Sequence, residues 1–468
     1  MTPKLTKIVA TIGPASETAQ DIKKLIDAGV NIFRFNTKHS TPQWHDEHIK
    51  LVQKIADEKG ATVGIFLDLQ GPEIRLETKD KKDIEVKVGE LLTIDLFFTG
   101  KEQVVIPHAA IYKLLKPGNN LLIDDGFVET EVVQVTATQL TVKVKNDAVI
   151  KHRKGVNLPG IDIDFPSLIE TDIAQLNQNA TNKVDYVGLS FVRSARDIKL
   201  LREEMIKRGM KAMVVAKIES QPALDRLDEI IEAADAVMVA RGDLGVEVPI
   251  EQLAFWQKTI IEKCRIVGKP VITATQMLES MIYNPRPTRA EATDVAHAIY
   301  DGTDAIMLSA ETASGKHPVK TVETMSSIAK WNEHLRPPEN KYYAQKDATS
   351  ILAEAAVKIA TSEINPKIDV LVVLTETGRT ARTISRYRLP IPIIAVTSKK
   401  SVAEQMTISF GINPVALEFP ANSFITPDQV LKILVKNQVI HKGDTTLVVH
   451  GHHWQKEGLT NALQITTA

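Results

Sequence analysis

Val237-Met238-Val239-Ala240-Arg241-Gly242-Asp243-Leu244-Gly245 begins as a short apolar run rich in β-branched residues and ends abruptly in charge. Such a run marks a strand buried on both faces of a parallel sheet. Just upstream, Ala216-Lys217-Ile218-Glu219 closes a second run in the same way. Lys217 and Glu219 are two apart, so on an extended backbone they point to one side. Glu219 and Asp243 then offer two hard carboxylates from neighbouring strand ends, a pair suited to Mg²⁺. Lys217 adds a cation there, and Gly242 lets the backbone approach a ligand closely. This set suits phosphoryl transfer or enolate chemistry. For one such ending a strand-end salt bridge is the better explanation. Two adjacent strands ending alike favour a site.

Working outward, strand-like runs recur at Lys7–Thr11, Asn31–Phe35, Val63–Asp68, Tyr186–Ser190, Ala212–Ile218, Ala236–Ala240, Val271–Thr275 and Ala305–Leu308. Amphipathic helical segments such as Thr18–Ala28, Trp44–Lys59, Ala195–Lys207 and Gln252–Val267 separate most of them. The expected fold class is α/β: a closed (β/α)₈ TIM barrel, with an open doubly wound sheet as the alternative. In such barrels the site lies at the C-terminal strand ends. Here those ends are nearly all polar, and a purely structural barrel gives no reason for that.

After Asp68 the helical periodicity stops. Residues 71–157 alternate as Ile84–Val88, Leu91–Leu96, Leu121–Ile123, Glu131–Val135 and Leu140–Val144, with turns such as Lys116-Pro117-Gly118-Asn119 between them. This predicts an all-β barrel domain inserted as a lid over the barrel mouth, where it excludes water. The catalytic barrel is then expected over 1–70 and 158–335, a linker over 336–348, and a C-terminal three-layer α/β domain over 349–468. The first strand of that last domain, Val370–Leu374, runs into Thr375-Glu376-Thr377-Gly378-Arg379-Thr380 and a helix, a pattern that fits a phosphate cradle or a capping turn. Arg379, Arg382, Arg386 and Arg388 follow closely and favour an anion site.

The chain has 468 residues and a net charge of −1, so no global field draws nucleic acid or an anionic membrane. One cysteine, Cys264, excludes an intramolecular disulfide and a cysteine-based zinc cluster, and fits a reducing cytoplasm. No signal peptide or membrane-spanning run is evident.

With these residues in view, the chain resembles the pyruvate kinase family over essentially its whole length. The matching stretches include Lys7-Ile-Val-Ala-Thr-Ile-Gly-Pro14, Arg34-Phe-Asn36, Gln70-Gly-Pro-Glu73-Ile-Arg75, Lys154-Gly-Val-Asn-Leu-Pro159, Lys217-Ile-Glu219, Met238-Val-Ala-Arg-Gly-Asp-Leu-Gly-Val-Glu247, Ala274-Thr-Gln-Met277 and Met307-Leu-Ser-Ala-Glu-Thr312. The resemblance implies transfer of a phosphoryl group from phosphoenolpyruvate to ADP, giving pyruvate and ATP. By it, Glu219 and Asp243 resemble ligands of catalytic Mg²⁺ (or Mn²⁺). Lys217 resembles the lysine that neutralises the phosphoryl group in flight, and Arg34 the arginine that grips the substrate phosphate. Ala240, Arg241, Gly242, Asp243 and Thr275 resemble the cradle for the substrate carboxylate, with Thr275 near the point of enolate protonation. His39, Arg75 and Lys154, with Asn36 beside them, resemble nucleotide contacts. Asn36 and Asp68 resemble ligands of a monovalent K⁺. A homotetramer is implied, as is a sugar-phosphate or nucleotide effector at Thr375, Thr377, Gly378, Arg379 and Thr380.

The K⁺ site is where the sequence departs. The family pattern Arg-x-Asn-x-Ser-His appears as Arg34-Phe-Asn36-Thr37-Lys38-His39, with lysine at the serine position. The ammonium of Lys38 is therefore expected to take the place of K⁺ among Asn36, Asp68 and Glu73, since a lysine beside bound K⁺ would repel it; the alternative is that Lys38 turns to solvent and K⁺ binds through the remaining ligands. Near the end, His450-Gly-His-His453-Trp454 replaces the family's effector loop; its histidines lack a metal-ligand spacing. Two other functions are weighed: a Mg²⁺-dependent enolate enzyme without a nucleotide, and a non-catalytic sensor. The lid with Lys154 and His39 speaks against the first, and the retained Lys217, Glu219, Asp243 and Thr275 against the second.

Overall fold

The computed structural model describes residues 4–100, 102–335, 343, 347–363, 365, 367–418, 426–451 and 460–468. Eight strands close into a parallel barrel in sequence order: β1 (Lys7–Thr11), β2 (Ile32–Asn36), β3 (Gly64–Asp68), β4 (Tyr186–Leu189), β5 (Met213–Ile218), β6 (Ala236–Ala240), β7 (Val271–Ala274) and β8 (Ala305–Leu308). Their near-continuous apolar sequences follow from burial on both faces. In β6, Ala236, Met238 and Ala240 join the interior of the barrel, while Val237 and Val239 pack outward under the helices. Helix ends carry their own signals. Thr288 and Glu291 form a reciprocal capping box before Arg289–Asp301, and Gly302 ends that helix in the left-handed region.

The chain leaves the barrel after β3 and rejoins it at the helix Glu170–Gln178; Val156–Asn157 is the last lid strand. Between them the lid builds its own core from residues including Leu76, Ile94, Leu121, Ile123, Leu140 and Val142. Its ladders form a seven-stranded sheet and a separate two-stranded ribbon, Ile84–Val86 with Ala148–Ile150, and do not close into one ring. It also holds a short helix, Ala109–Leu114, where the sequence suggested strands alone. Ile111 and Tyr112 bury themselves from that helix.

The C-terminal domain is a five-stranded sheet between two apolar layers. Its strands are β9 (Val370–Leu374), β10 (Ile393–Thr397), β11 (Ile412–Ala416), β12 (Thr445–Gly451) and β13 (Thr460–Thr467). The first four are parallel; β13 pairs antiparallel on the edge. The sequence analysis missed β13, because its mixed polar run is only half-buried. The domain docks on the face of the barrel opposite the C-terminal strand ends. There Lys7 Nζ donates to Ile412 O at 2.7 Å, Tyr186 Oη to Glu404 O at 3.0 Å, and Arg388 pairs with Asp304 at 2.6 Å. Among the described residues, no helix is long and apolar enough to cross a membrane. His452, His453, Trp454 and most of the linker lie outside the described residues.

Candidate active site

The ends of β2 and β3 bring Arg34 and Asp68 side by side. Arg34 Nε donates to Asp68 Oδ2 at 2.7 Å, its Nη2 lies 2.6 Å from the same oxygen, and its Nη1 donates to Thr11 Oγ1 at 2.9 Å. Asp68 Oδ1 is buried without a hydrogen-bond partner, 3.5 Å from Lys217 Nζ. Burial alone would raise the Asp68 carboxyl, but Lys217 and Arg34 outweigh it and hold it below its ordinary value. Room for this carboxylate comes from Gly188, where a Cβ would sit 2.8 Å from Asp68 Oδ1 and from the Phe66 ring.

Lys217, at the end of β5, extends its ammonium to Glu219 Oε1 at 2.8 Å and donates to Ser190 Oγ at 2.7 Å. Ser190 in turn donates to Leu69 O at 2.7 Å. Burial would lower the lysine, yet Asp68, Glu219 and Asp243 together lift it above its ordinary value, so it stays charged. Glu219 moves up as well: burial raises it, Lys217 opposes, and the charge of Asp243 adds to the rise. Glu219 and Asp243 thus feel each other across the site. Phe191 N–H donates to Glu219 Oε2 at 2.6 Å from a left-handed backbone, φ 53°. Thr275 is left-handed too, φ 68°. Backbone held in this region by bulky residues gathers at functional sites.

Beyond Ala240 the chain turns at once into a short helix, Arg241–Glu247. Gly242 N–H donates to Thr275 Oγ1 at 2.8 Å. The Arg241 side chain faces inward, on Ala274 O at 3.1 Å and Asp294 Oδ1 at 2.8 Å, which leaves its backbone for any cradle. One turn after Asp243, Glu247 is pushed up to about 7, first by burial and further by Asp243, against hydrogen bonds from Asn157, Gly160 and Gln221.

A cleft of about 380 Å³ opens between this helix and the lid, lined by Lys38, His39, Arg75, Lys154, Phe191 and Asp243 among others. That size suits a small-molecule site. Lys38 pairs with Glu73 Oε1, and Arg75 takes Glu73 Oε2 at 2.6 Å. The Lys38 ammonium lies 5.8 Å from the Phe191 ring centroid. Asn36 Oδ1 accepts from the backbone N–H of Lys38 at 3.2 Å. The Lys38 charge helps hold Asp68 down and opposes the rise of Glu219. Lys154 Nζ sits 2.7 Å from Asp124, and His39 is exposed at the rim. Every sequence-predicted barrel residue therefore converges on one mouth, with lid groups facing it.

The pyruvate kinase barrel domain family matches residues 3–322, and the pyruvate kinase alpha/beta domain family residues 350–466. The chain belongs to the pyruvate kinase family. The pyruvate kinase of Clostridium acetobutylicum is 38% identical over 476 residues, covering 98% of each chain. That of Geobacillus stearothermophilus is 38% identical over 98% of this chain and 80% of its own. In structure, a pyruvate kinase from Cryptosporidium parvum superposes with a TM-score of 0.89 at 33% identity, over 99% of this chain and 96% of the other. Membership in the pyruvate kinase family makes this protein an enzyme of the phosphotransferase class.

Against the pyruvate kinase motifs, two groups in the site carried no assigned role from sequence. Ser190 orients Lys217, and the Phe191 N–H orients Glu219. A polar residue straight after β4 was the only signal for Ser190, and a backbone donor leaves none. The C-terminal turn is differently placed. Thr375 Oγ1 accepts from Gly378 N–H at 3.0 Å, Arg379 pairs with Asp347, and Thr380 meets Thr460 at 3.0 Å. Thr377 O takes Arg382 Nη2 at 2.8 Å. These polar groups are met within the fold, as in a capped turn, while Glu376 Oε1 is buried without a partner.

Proposed function

We propose that the chain transfers the phosphoryl group of phosphoenolpyruvate to ADP, giving pyruvate and ATP. The observation that carries this reading is the Lys217–Glu219–Asp243 group beside Arg34, facing a cleft whose other walls present Lys154, Arg75 and His39. In-line phosphoryl transfer needs positioning and fixed positive charge more than covalent help. Arg34, held by Asp68 and Thr11, grips the substrate phosphate. The Lys217 ammonium opposes charge that spreads over the equatorial oxygens in the transition state. The backbone from Ala240 to Asp243 and the Thr275 hydroxyl hold the substrate carboxylate, and the enolate takes its proton near Thr275. His39, Arg75 and Lys154 receive the nucleotide phosphates. Closure of the lid removes water.

Glu219 and Asp243 fit Mg²⁺: they are two hard carboxylates close enough for one to raise the other. Mg²⁺, when bound, supplies charge against the phosphoryl oxygens. Lys38 supplies the monovalent charge that K⁺ provides elsewhere in the family, held by Glu73 and felt at Asp68 and Glu219. Exposed Ile250, Phe255 and Trp331 on the outer helices give a homotetramer a surface to bury.

The test is turnover by the purified chain with phosphoenolpyruvate, ADP and Mg²⁺, followed as pyruvate and ATP. Both products should form in equal amounts. Pyruvate formed at the same rate without ADP would mean an enolate enzyme with no nucleotide step. No product at any Mg²⁺ concentration would end the proposal.

A further inference from the structure

The lid hangs from the barrel by two necks. One leaves β3 through Leu69, Gln70 and Gly71; the other comes back through residues 158–169 into the helix Glu170–Gln178. Granted the function proposed above, we infer that Asp172, in the first turn of that helix, is a positioning residue for the nucleotide half of the reaction. Its carboxylate ties the two necks together and so fixes where the lid presents Arg75 and Lys154.

The first ground is how its two oxygens are shared. Asp172 is 0% exposed, and a carboxylate buried so deeply needs donors on both oxygens. Oδ2 accepts from the Ile169 N–H at 3.1 Å, the bond expected of an acid at the third position of a helix. Capping asks for nothing more. Oδ1 is spent on the other neck: it accepts from the Gln70 N–H at 2.9 Å and the Gly71 N–H at 3.3 Å, 102 and 101 residues away along the chain. Such bonds to a charged acceptor are roughly twice as strong as neutral ones.

The second ground is that the necks have no slack on the barrel side. Leu69 N–H donates to Gly188 O at 3.0 Å, and Leu69 O accepts from Ser190 Oγ at 2.7 Å. Gly71 has φ 69°, and a Cβ there would lie 2.9 Å from Ser190 Cβ. On the returning neck, Arg193 donates to Phe165 O at 2.6 Å and Ser167 Oγ to Asp197 Oδ1 at 2.6 Å. The third ground is reach. Arg75 lies four residues beyond Gly71 and bridges to Gly155, while Leu76 N–H donates to Lys154 O at 3.1 Å. A shift at Gly71 is therefore passed to both lid cations together. Misplacement by 1 Å can cost about 100-fold in rate. Arg34, Lys217 and Thr275 stand instead on the barrel, at the ends of β2, β5 and β7.

Asp172→Asn keeps the shape but leaves one acceptor oxygen, enough for one neck. Steady-state kinetics should show the KM for ADP raised by at least about 10-fold and kcat lowered, with the KM for phosphoenolpyruvate within about twofold of the wild type. Exchange of the pyruvate methyl hydrogens into deuterated water, followed by proton NMR with Mg²⁺ and inorganic phosphate and no nucleotide, reads the enolate half alone. It should also stay within about twofold. Asp172→Ala, which serves neither neck, should move the ADP values further. If Asp172→Ala does not fold, Asp172→Asn decides. A fall in kcat with both KM values unchanged is what a merely structural loss gives, and it overturns the proposal. So does a rise shared equally by both substrates, an exchange rate that falls with kcat, or wild-type kinetics in Asp172→Asn. A wild type that forms no ATP overturns the function itself, before any variant is made.

Discussion

Lys217 Nζ and Glu219 Oε1 lie 2.8 Å apart, two residues from each other across the end of β5. The contact keeps the amine charged and the carboxylate aimed in a site from which water is largely removed. Replacing Lys217 by Met removes a charge that matters most when negative charge spreads. Lys217→Met should lower kcat by about 10³-fold or more while the affinity for phosphoenolpyruvate stays near that of the wild type. Steady-state kinetics with a direct binding isotherm check this. Equal losses in both would assign Lys217 to ground-state binding.

Glu219→Gln keeps the shape and removes one of the two carboxylates proposed to hold Mg²⁺. Divalent affinity should fall by at least about 10-fold, the loss seen even for groups that only orient a metal ligand. Mn²⁺ titration followed by electron paramagnetic resonance reads this without turnover. Unchanged Mn²⁺ affinity would move the ion elsewhere.

Lys38 is proposed above to supply the charge that a free cation gives elsewhere in the family. Wild-type activity in buffer containing only a tetraalkylammonium counterion should rise by less than about tenfold on adding K⁺, since a tethered charge spares the cost of capturing one. Lys38→Ser should become K⁺-dependent. A wild type that K⁺ activates beyond that limit contradicts the assignment, as does a Lys38→Ser variant indifferent to K⁺.

Glu247 carries a pH signature. Its carboxyl is raised from an ordinary 4.5 to about 7 in the fold. Between those values the folded chain binds more protons than the unfolded chain, so its contribution to stability falls as pH rises through that window. Glu247→Gln should flatten that part of the profile and gain on the wild type above pH 7. Melting temperature against pH for the two proteins measures it. Parallel curves would show that Glu247 does not titrate there.

The Arg388–Asp304 pair is 3% and 4% exposed. Asp304→Ala takes a carboxylate from a buried guanidinium, at a cost of about 3–5 kcal/mol. Urea unfolding should show the C-terminal domain separating from the barrel at lower denaturant. A single transition at the wild-type midpoint would mean the two domains are held by other contacts.

Much of this was legible in the chain. The runs from Lys7 to Leu308 announced the barrel, because strands buried on both faces cannot hide their composition. The charged endings at Lys217-Ile-Glu219 and Arg241-Gly-Asp243 announced the site for the same reason. Other features were not legible. The strand Thr460–Thr467 is an edge, and half-buried edges tolerate polar residues that read as loop. Arg386 and Arg388 seemed to belong to the phosphate-like turn, since sequence gives nearness along the chain but not which side of the helix Arg379–Ser385 meets the barrel. The donor on Glu219 is a backbone N–H, invisible in any side-chain pattern.

The lid joins the barrel only between β3 and the helix Glu170–Gln178, while β3 itself pairs with β2 and β4. Removing or exchanging residues 71–157 would leave every barrel ladder intact. Evolution can therefore retune how ADP is received, by trading one insert for another, without redrawing the groups that hold phosphoenolpyruvate. On the proposed assignments, Arg75 and Lys154 would travel with the insert, while His39 and the groups for phosphoenolpyruvate stay with the barrel.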